Sequence, residues 1–283
     1  MADELWTILK VLQWTHKRFA ERGLGTPRLD AEVLLANLLG RDRVALYTHF
    51  DQPLADGELA AYRALIKRRL AGEPVAYLVG KQEFWSLSFA VDPRVLIPRP
   101  ETEGLVEAVL KLLEGRPAPS VADIGTGSGA IAVALAQERP DARLVAVDSS
   151  ADALDVARQN ALTHGSVIEF FVGDLLGPLA GRGPFDVIVS NPPYVAEGDF
   201  SSLPAEVKRE PRGALLAGVD GLDAIRRLVA GARAHLADAG VLALEVGAGQ
   251  AQTVMELLRQ AGYRAIEVQN DLAGIARVVI GRA

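Results

Sequence analysis

The chain has 283 residues, 49% of them hydrophobic and 23% charged, which fits a globular protein with room for one large domain and a small one. It contains no cysteine, which excludes disulfides, thiolate nucleophiles and cysteine-ligated metals, and its four histidines, His16, His49, His164 and His235, have no ligand spacing. The formal net charge of −6 counts against a grip on long nucleic acid, where a basic surplus neutralises the phosphates.

No stretch approaches the roughly 20 uninterrupted apolar residues of a membrane span. The opening MADELWTILK is acidic and lacks the basic start of a signal peptide, so a cytoplasmic protein is expected. Residues 4–22 carry Leu5, Ile8, Leu9, Leu12 and Phe19 near a helical period and stop at Gly23. A second helical run, 29–39, stops at Gly40, and a third, 56–70, stops near Gly72. Helices this short are marginal alone in water and must pack on one another, so residues 1–73 read as a small helical domain.

Residues 74–100 change character. PVAYLV and SLSFAV are short extended runs broken by Gly80 and Pro93, and they predict a β-hairpin connector. The run Ile97-Pro98-Arg99-Pro100 is extended, because each proline pushes its predecessor out of the helical region. Thr102 is placed to cap the following helix, 103–114. From Ser120 strands alternate with helices: VADI, RLVAVD, IEFFVGD, FDVIVS and GVLALEVG, separated by AIAVALAQ, ADALDVARQNALT and GLDAIRRLVAGARAHL. The alternation predicts an α/β fold, a mostly parallel sheet with helices on both faces, over residues 101–283. YRAIEVQ and IARVVIG, joined by a short link, predict a final hairpin with an antiparallel last strand.

Asp123-Ile-Gly125-Thr126-Gly127-Ser128-Gly129 follows the first strand of this alternating part and opens a helix. Glycines let the backbone turn sharply and approach a ligand with no Cβ in the way. Such a loop lies beyond the carboxyl ends of the strands, where open α/β sheets bind ligands. About 20 residues later the second strand ends in Asp148, a carboxylate suited to accept from both ribose hydroxyls of a nucleoside cofactor. A nicotinamide dinucleotide brings a pyrophosphate and usually the spacing GxGxxG. S-adenosylmethionine brings an amino acid and a sulfonium cation; the spacing here is GxGxG, preceded by Asp123, a carboxylate suited to the cationic end. Asp174 closes the third strand and is either an acceptor for the adenine amine, with Leu175 as an apolar wall, or a plain strand-end cap.

Ser190-Asn191-Pro192-Pro193-Tyr194 follows the fourth strand, FDVIVS. Two consecutive prolines stiffen the loop, so the Asn191 side chain and the Pro192 carbonyl present two oxygen acceptors at fixed positions. Two such acceptors suit a planar NH₂ group, with Tyr194 to stack on it. An amide nitrogen is a poor nucleophile because its lone pair is delocalised. Acceptors on its hydrogens strengthen as positive charge grows on nitrogen, so they favour the transition state without a metal or a strong base.

These motifs resemble the N5-glutamine methyltransferases that modify peptide chain release factors, and the resemblance covers nearly the whole chain. RLDAEVLLANLLG (28–40) resembles that family's helical domain, and GEPVAYLVGKQEFWSLSFAV with LIPRPETE (96–103) resembles its connector. DIGTGSGAIAVALA, AVDSSADALDVARQNA, VSNPPYV and EPRGALLAGVDGL match its catalytic domain in order and spacing. The resemblance implies a Rossmann-like S-adenosylmethionine-dependent methyltransferase fold, with 1–73 docking the substrate protein and 74–100 as connector. It implies that Gly125 to Gly129, Asp148 and Asn191 contact the cofactor, that Asn191, Pro192, Pro193 and Tyr194 hold the substrate glutamine, and that Leu96 and Ile97 lie close to the cofactor. Where the family often has an aromatic residue after the third-strand acid, this chain has Leu175. Arg99, Glu101 and Glu103 are read as capping and surface pairing.

The leading expectation is methylation of the glutamine in the Gly-Gly-Gln loop of release factors. A ribosomal-protein glutamine is the near alternative, and an exocyclic amine of adenine or cytosine in nucleic acid is a second class, disfavoured by the net charge and by the helical N-terminal part. A nicotinamide oxidoreductase leaves NPPY without a role, and a non-catalytic nucleotide-binding module leaves the rigid acceptor loop unused.

Overall fold

The computed structural model describes residues 5–283, so Glu4 of the first expected helix lies outside it. The chain divides into two compact units: residues up to Gly80 with Pro204–Arg209, and Lys81–Leu203 with Glu210–Ala283.

The first unit is helical. In α1 (Ile8–Glu21) Thr7 caps the first turn by accepting from the Lys10 amide. Next, α2 (Pro27–Leu39) begins on a proline and ends at Gly40 in the left-handed region. A short helix α3 (Arg43–Thr48), capped by Asp42 accepting from the Ala45 amide at 2.7 Å, was not anticipated: six residues are too few to show a period. In α4 (Asp56–Leu70) acids occupy the first turn and bases the last, complementing the helix dipole. The core holds Phe19, Leu34, Leu35, Leu46 and Tyr62, each aliphatic or aromatic side chain contributing roughly 1.5–3 kcal/mol by burial. Arg69 and Asp30 form an ion pair at 2.7 Å with only 6% of each side chain exposed, and Arg69 also reaches Glu206 at 2.7 Å. That arginine ties α4 to α2 and to the returning Pro204–Arg209 segment.

PVAYLV is a helix, α5 (Val75–Val79), rather than a strand of the connector. Pro74 starts it, Gly80 ends it in the left-handed region, and Leu78 belongs to the helical core. The packing therefore divides after Gly80, not after residue 73. Tertiary burial overrides the β-branched bias of the two valines.

The second unit opens with a hairpin, β1 (Lys81–Phe84) and β2 (Leu87–Ala90), whose two turn residues, Trp85 and Ser86, both have positive φ. After α6 (Glu103–Leu112) the chain alternates: β3 (Ser120–Ile124), α7 (Ala130–Glu138), β4 (Arg143–Asp148), α8 (Ala151–Thr163), β5 (Glu169–Val172) and β6 (Phe185–Ser190). Then follow α9 (Asp223–Gly231), β7 (Leu236–Glu245), α10 (Ala251–Gln260), β8 (Arg264–Asn270) and β9 (Ala276–Arg282). The single helix expected over GLDAIRRLVAGARAHL ends at Gly231 and tightens into a 3₁₀ turn, Ala232–His235.

The seven strands stand in the order β5-β4-β3-β6-β7-β9-β8. The first five are parallel, and β9 runs antiparallel between β7 and β8. Successive residues feed opposite cores, as the two-residue repeat of a strand requires. Val187 and Val189 face one core with Val121, Val241 and Val278, while Ile188 faces the other with Ala122, Leu242 and Val279. Burial on both faces makes these strands continuous apolar runs. The chain winds β3, β4, β5 outward and then returns to place β6 on the other side of β3. This reversal opens a crevice at the carboxyl ends of β3 and β6, the position where such sheets bind ligands. Among the described residues no helix is long and apolar enough to cross a membrane.

Candidate active site

The glycine loop leaves β3 and folds over β4, with the Gly125 and Thr126 amides donating to the Val147 carbonyl at 2.8 and 3.0 Å. Asp148, at the end of β4, accepts from the Gly127 amide and the Ser150 amide, both at 2.9 Å. The loop and the acid thus form one hydrogen-bonded unit. Gly129 is required for packing: a Cβ there would stand 3.1 Å from the Ala157 Cβ of α8, at a φ of +81°.

Asp123 is fully buried; its Oδ2 accepts from the Thr126 hydroxyl at 2.6 Å, and its Oδ1 has no partner. Burial pushes its pKa up to about 7, against the Thr126 bond, with the Asp148 charge adding to the rise.

A cavity of about 440 Å³ lies at the crevice. It brings together Gly125, Gly127, Asp148, Asp174, Leu175, Asn191, Pro193 and Leu96 of the residues singled out in the sequence. Asp123, Thr126 and Ser128 are buried in the loop behind that lining, and Pro192 is buried too. Ile97 does not reach the cavity: it is buried, and its amide donates to Glu210 at 3.0 Å. Leu175 adopts a positive φ of 46°, a conformation that costs a residue with a side chain roughly 1–2 kcal/mol. Both oxygens of Asp174 are engaged by Arg227 of α9, and this exposed pair holds its carboxyl below the usual carboxylate range.

The NPPY loop leaves β6 beside the glycine loop, because the Ser190 hydroxyl donates to the Ile124 carbonyl at 2.6 Å. Asn191 Nδ2 donates to the Thr102 hydroxyl oxygen at 3.1 Å. Thr102 makes no capping bond to α6, contrary to its expected role; it is only 4% exposed and holds Asn191 instead. The Tyr194 carbonyl accepts from Gln250 Nε2 at 3.0 Å, and Gly221 packs so closely that a Cβ there would meet this carbonyl at 2.2 Å. Tyr194 is half-buried, and burial first, then the charge of Glu245, pushes its phenol pKa up.

Several residues of this machinery were not singled out in the sequence. Glu210 is buried, and besides Ile97 it binds Arg99, so IPRPETE and EPRGAL are two halves of one clamp. Asn160 joins the hairpin to the glycine loop, bonding Ala90 and the Ser128 carbonyl. Glu245, at the end of β7, is 1% exposed beside Thr102 and Asn191. Glu103, expected to cap or pair at the surface, instead accepts from the Trp85 amide of the hairpin turn at 2.8 Å. The available signal was the IPRPETE, EPRGAL and RQNA strings themselves, which carry charged or amide groups among apolar neighbours.

Residues 10–80 match the PrmC N-terminal domain family, and residues 103–207 the methyltransferase small domain family. A release factor glutamine methyltransferase of Geobacter sulfurreducens is 48% identical over 280 residues, covering 99% of this chain and 98% of that one. Another, from Rhodopirellula baltica, is 44% identical over 287 residues, covering 98% and 96%. The chain belongs to the release factor glutamine methyltransferase family. Its fold is shared with the hMettl16 catalytic domain, solved with a 3′UTR hairpin, at 16% identity and a TM-score of 0.59 over 80% of each chain. It is also shared with T. thermophilus 16S rRNA methyltransferase RsmC, solved with AdoMet and guanosine, at 22% identity and a TM-score of 0.54 over 71% of this chain and 49% of that one. Such likenesses show the fold alone; family membership and the matched methyltransferase domain make the chain an S-adenosylmethionine-dependent methyltransferase.

The residues present fit that cofactor. Asp123, directly behind the lining in the glycine loop, carries a carboxylate whose Oδ1 meets no side-chain donor, a charge that suits an ammonium group. Gly125 and Gly127 leave open space where a Cβ would project, so the cradle is clear of side chains. Asp148 holds two backbone donors and retains lone pairs for ribose hydroxyls.

Proposed function

We propose that this family member methylates the side-chain amide nitrogen, N5, of the glutamine in the Gly-Gly-Gln loop of peptide chain release factors. The observation that carries this reading is the commitment of Asn191 Nδ2 to Thr102. With the amine side held, Oδ1 is the atom left to serve the cavity that Asn191 lines. An acceptor oxygen on a loop stiffened by two prolines suits an NH₂ group that becomes positive as it is alkylated.

S-adenosylmethionine, when bound, supplies an electrophilic sulfonium methyl group. Asp123 would hold its ammonium, Gly125 to Gly129 would give its amino-acid end a backbone bed, and Asp148 would hold its ribose. Leu96 and Leu175 would wall the adenine. Asn191 Oδ1 and the Pro192 carbonyl would accept from the two amide hydrogens, aligning the nitrogen lone pair. Pro193 and Tyr194 would exclude water and cover the flat amide. The helical unit, residues 10–80 of which match the PrmC N-terminal domain, would dock the substrate protein. A release-factor substrate requires a cytoplasmic enzyme, and the net charge of −6 disfavours stable nucleic-acid binding.

The test is transfer of radiolabelled methyl from S-adenosylmethionine to release factor, ribosomal protein and DNA in parallel. The expected result is label on release factor alone, lost when its Gly-Gly-Gln glutamine is replaced by alanine. Label on DNA, or label on release factor that survives the replacement, overturns the reading.

A further inference from the structure

Asn191 and Glu245 are neighbours in the sheet. Strands β6 and β7 are parallel with Ser190 opposite Leu244, so Asn191, the first residue after β6, comes beside Glu245, the last residue of β7 and still paired with Val278 of β9. Thr102 comes to the same point from the start of α6, its hydroxyl oxygen 3.1 Å from Asn191 Nδ2. Glu245 is 1% exposed, and its Oε2 is buried without a hydrogen-bond partner. The hydroxyl of Thr102 and the amide of Asn191 both stabilise its ionised form. A carboxylate this buried, with an oxygen left unpaired, is costly, so a fold that keeps one has a use for its charge or its acceptors.

A threonine hydroxyl has one hydrogen and can either donate to or accept from a facing amide. Alone it would leave the Asn191 amide free to turn over, presenting NH₂ instead of oxygen to the cavity. A carboxylate accepts only. If it takes the single Thr102 hydrogen, Asn191 meets only acceptors on this side, the Thr102 lone pairs and the carboxylate itself, and its NH₂ must face them.

We propose that Glu245, acting through Thr102, is a positioning residue that locks the Asn191 amide with its oxygen toward the substrate. This rests on the glutamine-amide reading above. The groups acting on Glu245 are Thr102, Asn191, Arg277, Glu101 and Tyr194. Burial pushes its pKa up to about 7, against Thr102, Arg277 and Asn191, with Glu101 adding to the rise. The lock therefore works when Glu245 is ionised. Protonation frees the Thr102 hydrogen to donate to Asn191 Oδ1, and the amide can turn.

The test is kcat for release-factor methylation at saturating cofactor and substrate, followed against pH. Saturating cofactor removes the separate titration of Asp123 from kcat. In wild type, kcat is expected to fall as pH drops below about 7, through the titration of Glu245. Glu245→Gln, whose amide can present either end to Thr102, is expected to lose about tenfold or more in kcat, with little change in KM for S-adenosylmethionine, and to lose that acid limb. Thr102→Val is expected to lose as much, and Thr102→Ser to restore activity to within about threefold of wild type. Wild-type kcat in both Glu245→Gln and Thr102→Val, or an acid limb that persists in Glu245→Gln, overturns the proposal. If Glu245→Gln does not fold, the threonine pair decides: equal losses in Thr102→Val and Thr102→Ser overturn it. Asn191→Ala in the same assay separates the two readings. Loss there with retention in the Glu245 and Thr102 variants sinks the lock alone, whereas retention in Asn191→Ala sinks the glutamine-amide reading itself.

Discussion

Replacing Asp148 tests how the loop and the cofactor share one carboxylate. Asp148→Ala removes two acceptors at once. On the protein side it releases the Gly127 and Ser150 amides, each held at 2.9 Å, so the glycine loop loses its tie to β4. Bonds to a charged acceptor contribute about 1.5–3 kcal/mol each, and these amides regain water in part, so a stability loss of about 2 kcal/mol is expected. On the ligand side it removes up to two ribose contacts of the same strength. At 1.4 kcal/mol per decade, losing even one weakens binding by about tenfold, and losing both by about a hundredfold or more. Asp148→Asn has one oxygen and one NH₂ where two backbone donors converge, so it satisfies one amide and opposes the other. Its stability and affinity should fall between wild type and alanine. Calorimetric titration with the demethylated cofactor product measures affinity, and urea unfolding measures stability. If Asp148→Ala loses stability but binds within twofold of wild type, the carboxylate is only a loop pin, and the assignment of the ribose to it is refuted.

Asp123 makes a prediction about protons. Its folded pKa of about 7 lies above the ordinary carboxylate range, so the free protein loses stability as pH rises from that range through about 7. An ammonium at Oδ1 reverses this, and cofactor binding at pH 6 should release on the order of one proton, read by calorimetry in buffers of different ionisation enthalpy; no release, or equal release in Asp123→Asn, counts against the contact. Gly221→Ala puts a Cβ 2.2 Å from the Tyr194 carbonyl at a φ of +75°, so it should cost about 2 kcal/mol or more in urea unfolding and lower methyl transfer; wild-type behaviour would show that the loop has room to yield. Arg69→Met strands the buried Asp30 without its cation and should destabilise the helical unit by about 3–5 kcal/mol, seen as an earlier loss of helical circular dichroism; an unchanged midpoint would mean that water replaces the pair.

Much of the site was legible in the chain because its signals are local. A glycine loop after an apolar run, an acid after the next one and an asparagine before two prolines each constrain a few bonds of backbone, and each reads as it folds. Failures came where packing outweighs local preference. PVAYLV has the composition of a strand but forms a helix because Leu78 has a hydrophobic site to fill in the helical unit. Thr102 has the position of a cap yet turns its hydroxyl to Asn191, 89 residues later in the chain.

Residue types and their spacing were enough to place the α/β alternation, the glycine loop after β3, the acid at the end of β4 and the Asn-Pro-Pro loop after β6. They could not say that β6 lies against β3, that Glu210 would close on Ile97 and Arg99, or that Glu245 would emerge beside Asn191. Local dihedral preferences act over a few residues and are written in the sequence that bears them. Strand order and the pairing of buried polar groups depend on which distant surfaces exclude water together, and only the folded chain brings those surfaces into contact.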